Sequence, residues 1–310
     1  MSALRQQADE YLAIRRCLGF KLVDHGRLLS QFAHYLDGIG SGVISTKQAV
    51  DWAQSTAHPS LFRQRQRLSV VRGFAQYMRT IDPDTEVPGK DLLPARQRRL
   101  VPYLYSPGEI RGLMVAARSL PYLSFLSATT YETLIGLLAT TGMRVGEALG
   151  LDHCDVDLAA RLLVVRCSKN GKSRQLPLHP TTVAALQDYV QRRDRLCSRP
   201  KSPSFFVTLR GNRPSPRAFL AAFTRLRRET GLDRRERYRP PRPHDLRHTF
   251  VLRALLNWYR AGADVQAQLP LLSTFLGHVD PKATYWYFEA APELLALAAQ
   301  RVEHAWENLP

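Results

Sequence analysis

The chain has 310 residues, 45% hydrophobic and 23% charged, enough apolar material for packed cores, which excludes wholesale disorder. Forty-four Lys and Arg against 27 Asp and Glu give a formal charge of +17, a surplus that asks for a polyanionic partner, nucleic acid before anionic membrane. No apolar run approaches the ~20 residues of a membrane span, and the N-terminus lacks a signal peptide's apolar core. A cytoplasmic setting is therefore expected, with Cys17, Cys154, Cys167 and Cys197 as scattered free thiols.

The positive charge is spread along the chain. The first 100 residues hold 15 basic against 9 acidic side chains and the remainder 29 against 18, unlike a basic tail on a neutral domain. The spacing of Leu4, Ala8 and Leu12, with Ile14, Arg16 and Leu18 around that stripe, predicts a first helix that stops at Gly19. HGRLLSQFAHYLDGIG repeats the pattern and ends on Gly38, and Thr46 is the expected cap of KQAVDWAQST. RQRLSVVRGFAQYMRTI reads as a fourth helix. Its Arg63, Arg65, Arg67, Arg72 and Arg79 form either a phosphate-facing stripe or an ordinary solvated face. Residues 82–102 are punctuated by prolines and carry Arg96, Arg98 and Arg99, a linker able to follow a DNA backbone.

From residue 104 the character changes. Ser106 is the expected cap of PGEIRGLMVAARSL, with Pro107 in the first helical position. TYETLIGLLATTGM is apolar enough to be a core helix, and RVGEALGL is expected to continue helically. LLVVRCS and RQLPL flank the polar turn KNGKS as two short strands. TTVAALQDYVQRRDRL is a further helix. A basic cluster over 225–242, including Arg225, Arg227, Arg228, Arg239 and Arg242, then leads into a long helix, RPHDLRHTFVLRALLNWYRAG. STFLGHVDPKATYWYFEA and PELLALAAQRVEHAWENL close the chain as helices. The fold class expected is mainly α with a small antiparallel β-sheet.

Four segments stand out together: TGMRVGEALGL, KNGKSRQLPL, HDLRH and LGHVDPKATYWYF. In this order and spacing they resemble the tyrosine recombinases, the lambda-integrase-like family of phage and transposon integrases. The resemblance covers 104–290 and extends more weakly to the helical N-terminal part. It implies a core-binding (DNA-binding) domain over 1–84, a linker over 85–102 and a catalytic domain over 103–310.

The chemistry explains the residue types. A phosphodiester carries a full negative charge, and the transition state for attack on it places more charge on the non-bridging oxygens. Cations with several fixed donors must meet that charge, and arginine's planar fork suits phosphate. The leaving alkoxide needs a proton donor, and a tyrosine nucleophile must lose its proton during attack. The resemblance assigns Arg144 and Arg247 to the phosphate, Lys169 to protonation of the leaving 5′ oxygen, and His244 to proton transfer at the tyrosine oxygen. It assigns His278 as a donor to the scissile phosphate and Tyr287, nine residues on, as the nucleophile. Lys172 and Tyr285 are the competitors for the lysine and tyrosine roles. Glu147, three residues after Arg144, is placed to brace the site.

Arg63, Arg67, Arg72, Arg96, Arg98, Arg99, Arg239 and Arg242 are the expected DNA contacts. Such contacts position a protein without reading sequence. No cofactor is implied. His244 and His248 lie four apart as metal ligands would, but a zinc-protease motif wants Glu after the first His and Asp245 stands there. The stretch between Arg247 and His278 is longer than in the commoner members of the family.

The partners implied are double-stranded recombination sites, other copies of the chain in a tetramer on DNA, and other recombinases of the same element. The tail helix, with Leu294, Leu297, Ala298, Arg301 and Ala305 on one face, docks either on a neighbouring protomer or on its own domain. The cellular place implied is cytoplasmic and nucleoid-associated. Two other function classes compete: a non-catalytic accessory DNA-binding protein of the same fold, and a type IB topoisomerase. The complete catalytic set argues against the first. The core-binding-like N-terminus and apolar tail argue against the second. A membrane-surface protein would need a basic amphipathic helix with bulky apolar anchors, which is missing.

Overall fold

The computed structural model describes residues 3–20, 22–55, 60–94, 102–120, 124–166, 173–234 and 240–277, with isolated helical positions at 296, 299 and 300. The chain divides into two compact units, Met1–Arg99 and Leu100–Pro310.

The first unit holds α1 (Ala3–Cys17), α2 (Val23–Gly38), α3 (Thr46–Gln54) and α4 (Leu61–Met78). On α1, Leu4, Ala8 and Leu12 are buried as their spacing predicts, whereas Ile14 and Leu18 are exposed. Gly19 follows in a left-handed conformation, φ +88°, where a side chain is disfavoured. The α3 cap is Ser45, one residue before the Thr46 expected. The Ser45 hydroxyl accepts from the Gln48 N–H while the Gln48 side chain accepts from the Ser45 N–H. Thr46 instead takes the first helical position and donates its N–H to Glu86, 2.7 Å. Phe32, Trp52, Leu68, Val71 and Phe74 close the core.

In the second unit α5 (Pro107–Ser119) begins on Ser106, whose hydroxyl accepts from the Glu109 N–H at 3.1 Å. α6 (Phe125–Thr141) is buried almost all round and forms the centre of the core. It does not run on through RVGEALGL. Gly142 turns left-handed at φ +61°, Arg144 is extended, and a separate short helix α7 (Val145–Gly150) follows.

Gly142 is obligatory on two counts: its φ, and the Phe250 ring, which would lie 2.6 Å from an added Cβ. Gly142→Ala is expected to cost about 2–4 kcal/mol, from the left-handed backbone and the ring it displaces. A urea titration checks this; a loss below about 0.5 kcal/mol, the range of a neutral surface change, would contradict the packing described.

β1 (Val156–Asp157), β2 (Leu162–Val165) and β3 (Arg174–Pro177) form an antiparallel sheet in sequence order. Sequence reading found β2 and β3 and missed the two-residue β1. Leu163 faces Leu176 and Val165 faces Arg174 across β2 and β3. Leu163, Val165 and Leu176 are buried, so the two-residue alternation puts Arg174 on the inward face.

α8 (Pro180–Leu196), α9 (Pro216–Glu229), α10 (Pro243–Arg260) and α11 (Val265–Leu276) follow among the described residues of the unit. α9 was not expected. Its arginines drew attention as charge, but Phe219, Ala222, Phe223 and Leu226 form a buried stripe at helical spacing. α11 lies in the stretch that looks long between Arg247 and His278. It carries Pro270 internally and ends at Gly277, φ +67°. The expected helix from Ser273 through the tyrosines is thus broken: Ser273–Leu276 are the last turn of α11. Residues beyond Gly277 lie outside the described residues, apart from those three positions. α10 and α11 pack through Val251, Leu255, Leu269, Leu272 and Leu276. No helix among the described residues is long and apolar enough to cross a membrane.

Candidate active site

The end of α6, the start of α7, strand β3, helix α10 and the last turn of α11 converge on one small volume. Arg144 stands at the N-cap position of α7, where the left-handed Gly142 has just redirected the chain. Its backbone N–H donates to Glu147 Oε2 at 3.0 Å and its Nη1 to Glu147 Oε1 at 2.7 Å. Nη2 reaches toward the Gly277 carbonyl at 3.4 Å. The Arg144 side chain is 28% exposed, against 8% for Arg174 and 9% for Glu147, so Arg144 is the member of this trio that meets solvent.

Arg247 projects from the second turn of α10 and is almost fully buried. Nη1 donates to the Gly142 carbonyl at 2.8 Å and Nη2 to the Leu276 carbonyl at 2.7 Å. It thereby ties the end of α6 to the end of α11, satisfying helix-terminal carbonyls that lack intrahelical partners.

Arg174 was missed in the sequence. Its Nη1 and Nη2 donate to Glu147 Oε1 and Oε2 at 3.2 and 2.7 Å, and Nε donates to the Phe275 carbonyl at 2.7 Å. Three consecutive carbonyls at the end of α11, those of Phe275, Leu276 and the following Gly277, are therefore each approached by a different arginine: Arg174, Arg247 and Arg144. The missed signal is the inward register of Arg174 beside Leu176, because a buried guanidinium demands an acid and a carbonyl.

Burial alone would raise the Glu147 carboxyl. Hydrogen bonds from the Arg174 side chain and the Arg144 N–H, with the charge of Arg174, outweigh it and hold the group at about 2. A depressed carboxylate contributes its stability above the unfolded value of ~4.3 and loses it as pH falls toward the folded value. Glu147 is thus ionised at neutral pH and its tie to both arginines is intact.

His244 is exposed on the first turn of α10, three residues before Arg247 and on the same face. Its ring lies edge-on to His248 with centroids 4.9 Å apart. Asp245 is fully buried and accepts the Arg242 N–H at 2.8 Å. Tyr105 steadies the same helix. Its hydroxyl donates to the Arg242 carbonyl at 3.1 Å and its N–H to the Thr249 hydroxyl at 3.0 Å. Burial first, then the Asp245 charge, push the Tyr105 hydroxyl well above its usual range, so it stays protonated.

Lys169, Lys172, His278, Tyr285 and Tyr287 lie outside the described residues, as do Arg96, Arg98, Arg99 and Arg239 and the apolar face of the tail helix, Leu294 to Ala305. Arg63 lies exposed at the start of α4. Arg67 stacks on the Trp52 ring, 3.8 Å to its centre, and donates to the Trp52 carbonyl. Arg65 donates to the Leu93 carbonyl and Arg72 to those of Pro88 and Gly89. These three guanidiniums are tied to carbonyls of their own unit. In the basic cluster over 225–242, Arg227 is largely buried against Asp233 and the Pro241 carbonyl, whereas Arg228 is exposed. That cluster is therefore not one continuous solvent-facing surface. Arg242 is half-exposed beside Asp245.

The family model and the relatives that this chain matches place it among the tyrosine-type site-specific recombinases, a class of DNA strand-transfer enzyme. Within that class the chain belongs to the phage integrase family, whose model matches residues 106–293. It is similar to a protein of Sinorhizobium fredii named putative integrase/recombinase y4rB, 42% identical over 99% of both chains. It is also similar to tyrosine recombinase XerC of Chlamydia trachomatis, 26% identical over 78% of this chain and 71% of that protein. Among solved structures, a lambda integrase tetramer bound to a Holliday junction shares the fold. Its TM-score is 0.62 at 18% identity, covering 92% of this chain and 76% of the other.

Proposed function

We propose that the chain cuts and rejoins double-stranded DNA at a defined recombination site through a 3′-phosphotyrosyl intermediate and a Holliday junction. The outcome is integration, excision or resolution of a mobile element. The observation that carries this reading is the meeting of Arg144 and Arg247, far apart in sequence, on neighbouring carbonyls at the end of α11, one residue before His278.

In the proposed step the Tyr287 hydroxyl oxygen attacks the scissile phosphorus. A phosphorus–oxygen bond to Tyr287 forms as the bond to the 5′ oxygen breaks. The tyrosine proton passes toward His244, and Lys169 donates a proton to the departing 5′ oxygen. Arg144, Arg247 and His278 meet the charge that builds on the non-bridging oxygens. The phosphotyrosine conserves the bond energy, so religation by a 5′ hydroxyl needs no ATP. The side chains named supply the charge and the protons, so the reaction as proposed needs no metal.

The first unit and the linker clamp the duplex as the core-binding part, with domains over 1–84, 85–102 and 103–310. Arg63, Arg96, Arg98, Arg99, Arg239 and Arg242 follow the backbone. Arg67 and Arg72 add charge beyond the donors their carbonyls take up. Two pairs of protomers act in turn within a tetramer, coupled through the tail helix, alone or with other recombinases of the element. The protein works at the nucleoid.

A nicked suicide duplex, built from the ends of the element that encodes the chain, tests the reading. With EDTA present, the wild type is expected to leave an SDS-resistant protein–DNA adduct. Tight, salt-sensitive binding without an adduct would favour an accessory DNA-binding protein of the same fold.

A further inference from the structure

We propose that Arg174 is a positioning residue that keeps the charge of Arg144 available to the scissile phosphate. The inference rests on the function proposed above and concerns how that site is built. The Arg174 side chain is 8% exposed and its donors are engaged on both Glu147 oxygens and on the Phe275 carbonyl. Arg247 is buried too, but its fork holds the Gly142 and Leu276 carbonyls and keeps its charge, whereas the Arg174 fork is closed on a carboxylate that neutralises it.

Glu147 is the acid nearest Arg144 in the network, 2.7 Å from its Nη1. Alone, that carboxylate would pair with Arg144 and cancel it. Arg174 takes both carboxylate oxygens at once, the stronger bidentate geometry. Two guanidiniums then share one carboxylate, and the surplus sits on Arg144, the exposed one of the pair.

Geometry adds a second link. Arg174 holds the carbonyl of Phe275, next to the Leu276 carbonyl held by Arg247. One side chain thus sets the orientation of Glu147, and through it Arg144, and fixes the turn of α11 on which Arg247 rests. The backbone is shaped to admit it. A Cβ on Gly277 would lie 2.8 Å from Arg174 Nη1, so only glycine leaves the space that this guanidinium fills.

Removing Arg174 would leave Glu147 with Arg144 as its remaining partner in this trio and release the Phe275 carbonyl. The expected defect is specific: poorer neutralisation of charge on the non-bridging oxygens. A methylphosphonate at the scissile position is uncharged and keeps one non-bridging oxygen, so less charge builds in its transition state and the defect should shrink.

The test uses the full chain and the nicked suicide duplex, with a phosphodiester or a methylphosphonate at the scissile position. Single-turnover cleavage and noncovalent DNA affinity are measured for wild type, Arg174→Gln and Arg174→Lys. On phosphodiester, Arg174→Gln is expected to cleave about 10²-fold more slowly, the order found for loss of one transition-state donor. Its DNA affinity should stay within about 3-fold, since bulk binding rests on many phosphate contacts. Arg174→Lys should recover about 10-fold of the rate, keeping the charge but not the fork. On methylphosphonate the gap between wild type and Arg174→Gln should narrow to within about 5-fold, because the transition state carries one negative charge less for the arginines to neutralise.

Equal gaps on the two substrates would overturn the inference and reduce Arg174 to a fold brace. Should Arg174→Gln fail to fold, the same pair of substrates is applied to Arg174→Lys, whose smaller defect must also shrink on methylphosphonate. No adduct from the wild type on phosphodiester would sink the function proposed above, and this inference with it.

Discussion

Replacing Arg247 with alanine is expected to abolish measurable cleavage and to destabilise the second unit together. The guanidinium is 2% exposed and holds two buried carbonyls, those of Gly142 and Leu276. Truncation leaves both unpaired and opens a cavity. Charge-assisted hydrogen bonds contribute about 1.5–3 kcal/mol each, so a loss of about 3–5 kcal/mol is expected in a urea titration. Cleavage should fall by at least about 10³-fold, because the site loses a phosphate donor and the anchor of α11 together.

Arg247→Lys separates the two effects. An ammonium can keep the charge and one carbonyl, so much of the stability should return. It cannot span both carbonyls and a phosphate, so cleavage should stay down by about 10²-fold. Cleavage by Arg247→Ala within 3-fold of wild type would contradict the placement of the site.

The second large effect is expected at Tyr287. Tyr287→Phe removes only a hydroxyl, so folding and noncovalent DNA binding should be unchanged. The covalent adduct should vanish, a loss on the order of 10⁴-fold or more, as for removal of a nucleophile elsewhere. Tyr285 is the internal control. On the helix that the sequence leads one to expect here, side chains two residues apart point about 200° apart, so only one of the two tyrosines is expected to meet the phosphate. Tyr285→Phe should cleave within about 5-fold of wild type, the modest change of a residue outside the reacting set. A surviving adduct in Tyr287→Phe would move the nucleophile to Tyr285.

Much of the second unit was legible because its local signals agree. Ser106, Pro107 and Glu109 mark the start of α5 without ambiguity, and the apolar run of α6 admits no exposed face. The period-2 strands and the H-x-x-R spacing on α10 were equally plain. What escaped was set by contacts distant in sequence. The break at Gly142 depends on Phe250 and on the Arg247 hydrogen bond to its carbonyl, neither visible in TGMRVGE. α9 was hidden by its arginines, although its Phe219-to-Leu226 stripe was countable. α11 lay in the stretch read only as long, where Pro270 interrupts the helical pattern.

Charge was the least readable feature. Arg67 and Arg72 count in the basic stripe of α4, yet each is tied to carbonyls 15 to 17 residues away. Arg174 drew no role from the sequence, where it is one more cation beside a turn. A linear sequence shows how many cations a chain has, but only the fold shows which are already engaged. The register of β3 was the one clue that would have exposed Arg174 beforehand.

The proposed reaction turns on Tyr287 becoming covalently joined to DNA. It is tested most directly by trapping the adduct on the suicide duplex with EDTA present, digesting it with trypsin and nuclease, and fragmenting the linked peptide in a mass spectrometer. A single linked peptide is expected, ATYWYFEAAPELLALAAQR, spanning 283–301, with the 3′-nucleotide phosphate on Tyr287. A nucleotide on Tyr285, on a residue outside this peptide, or on none at all would contradict it.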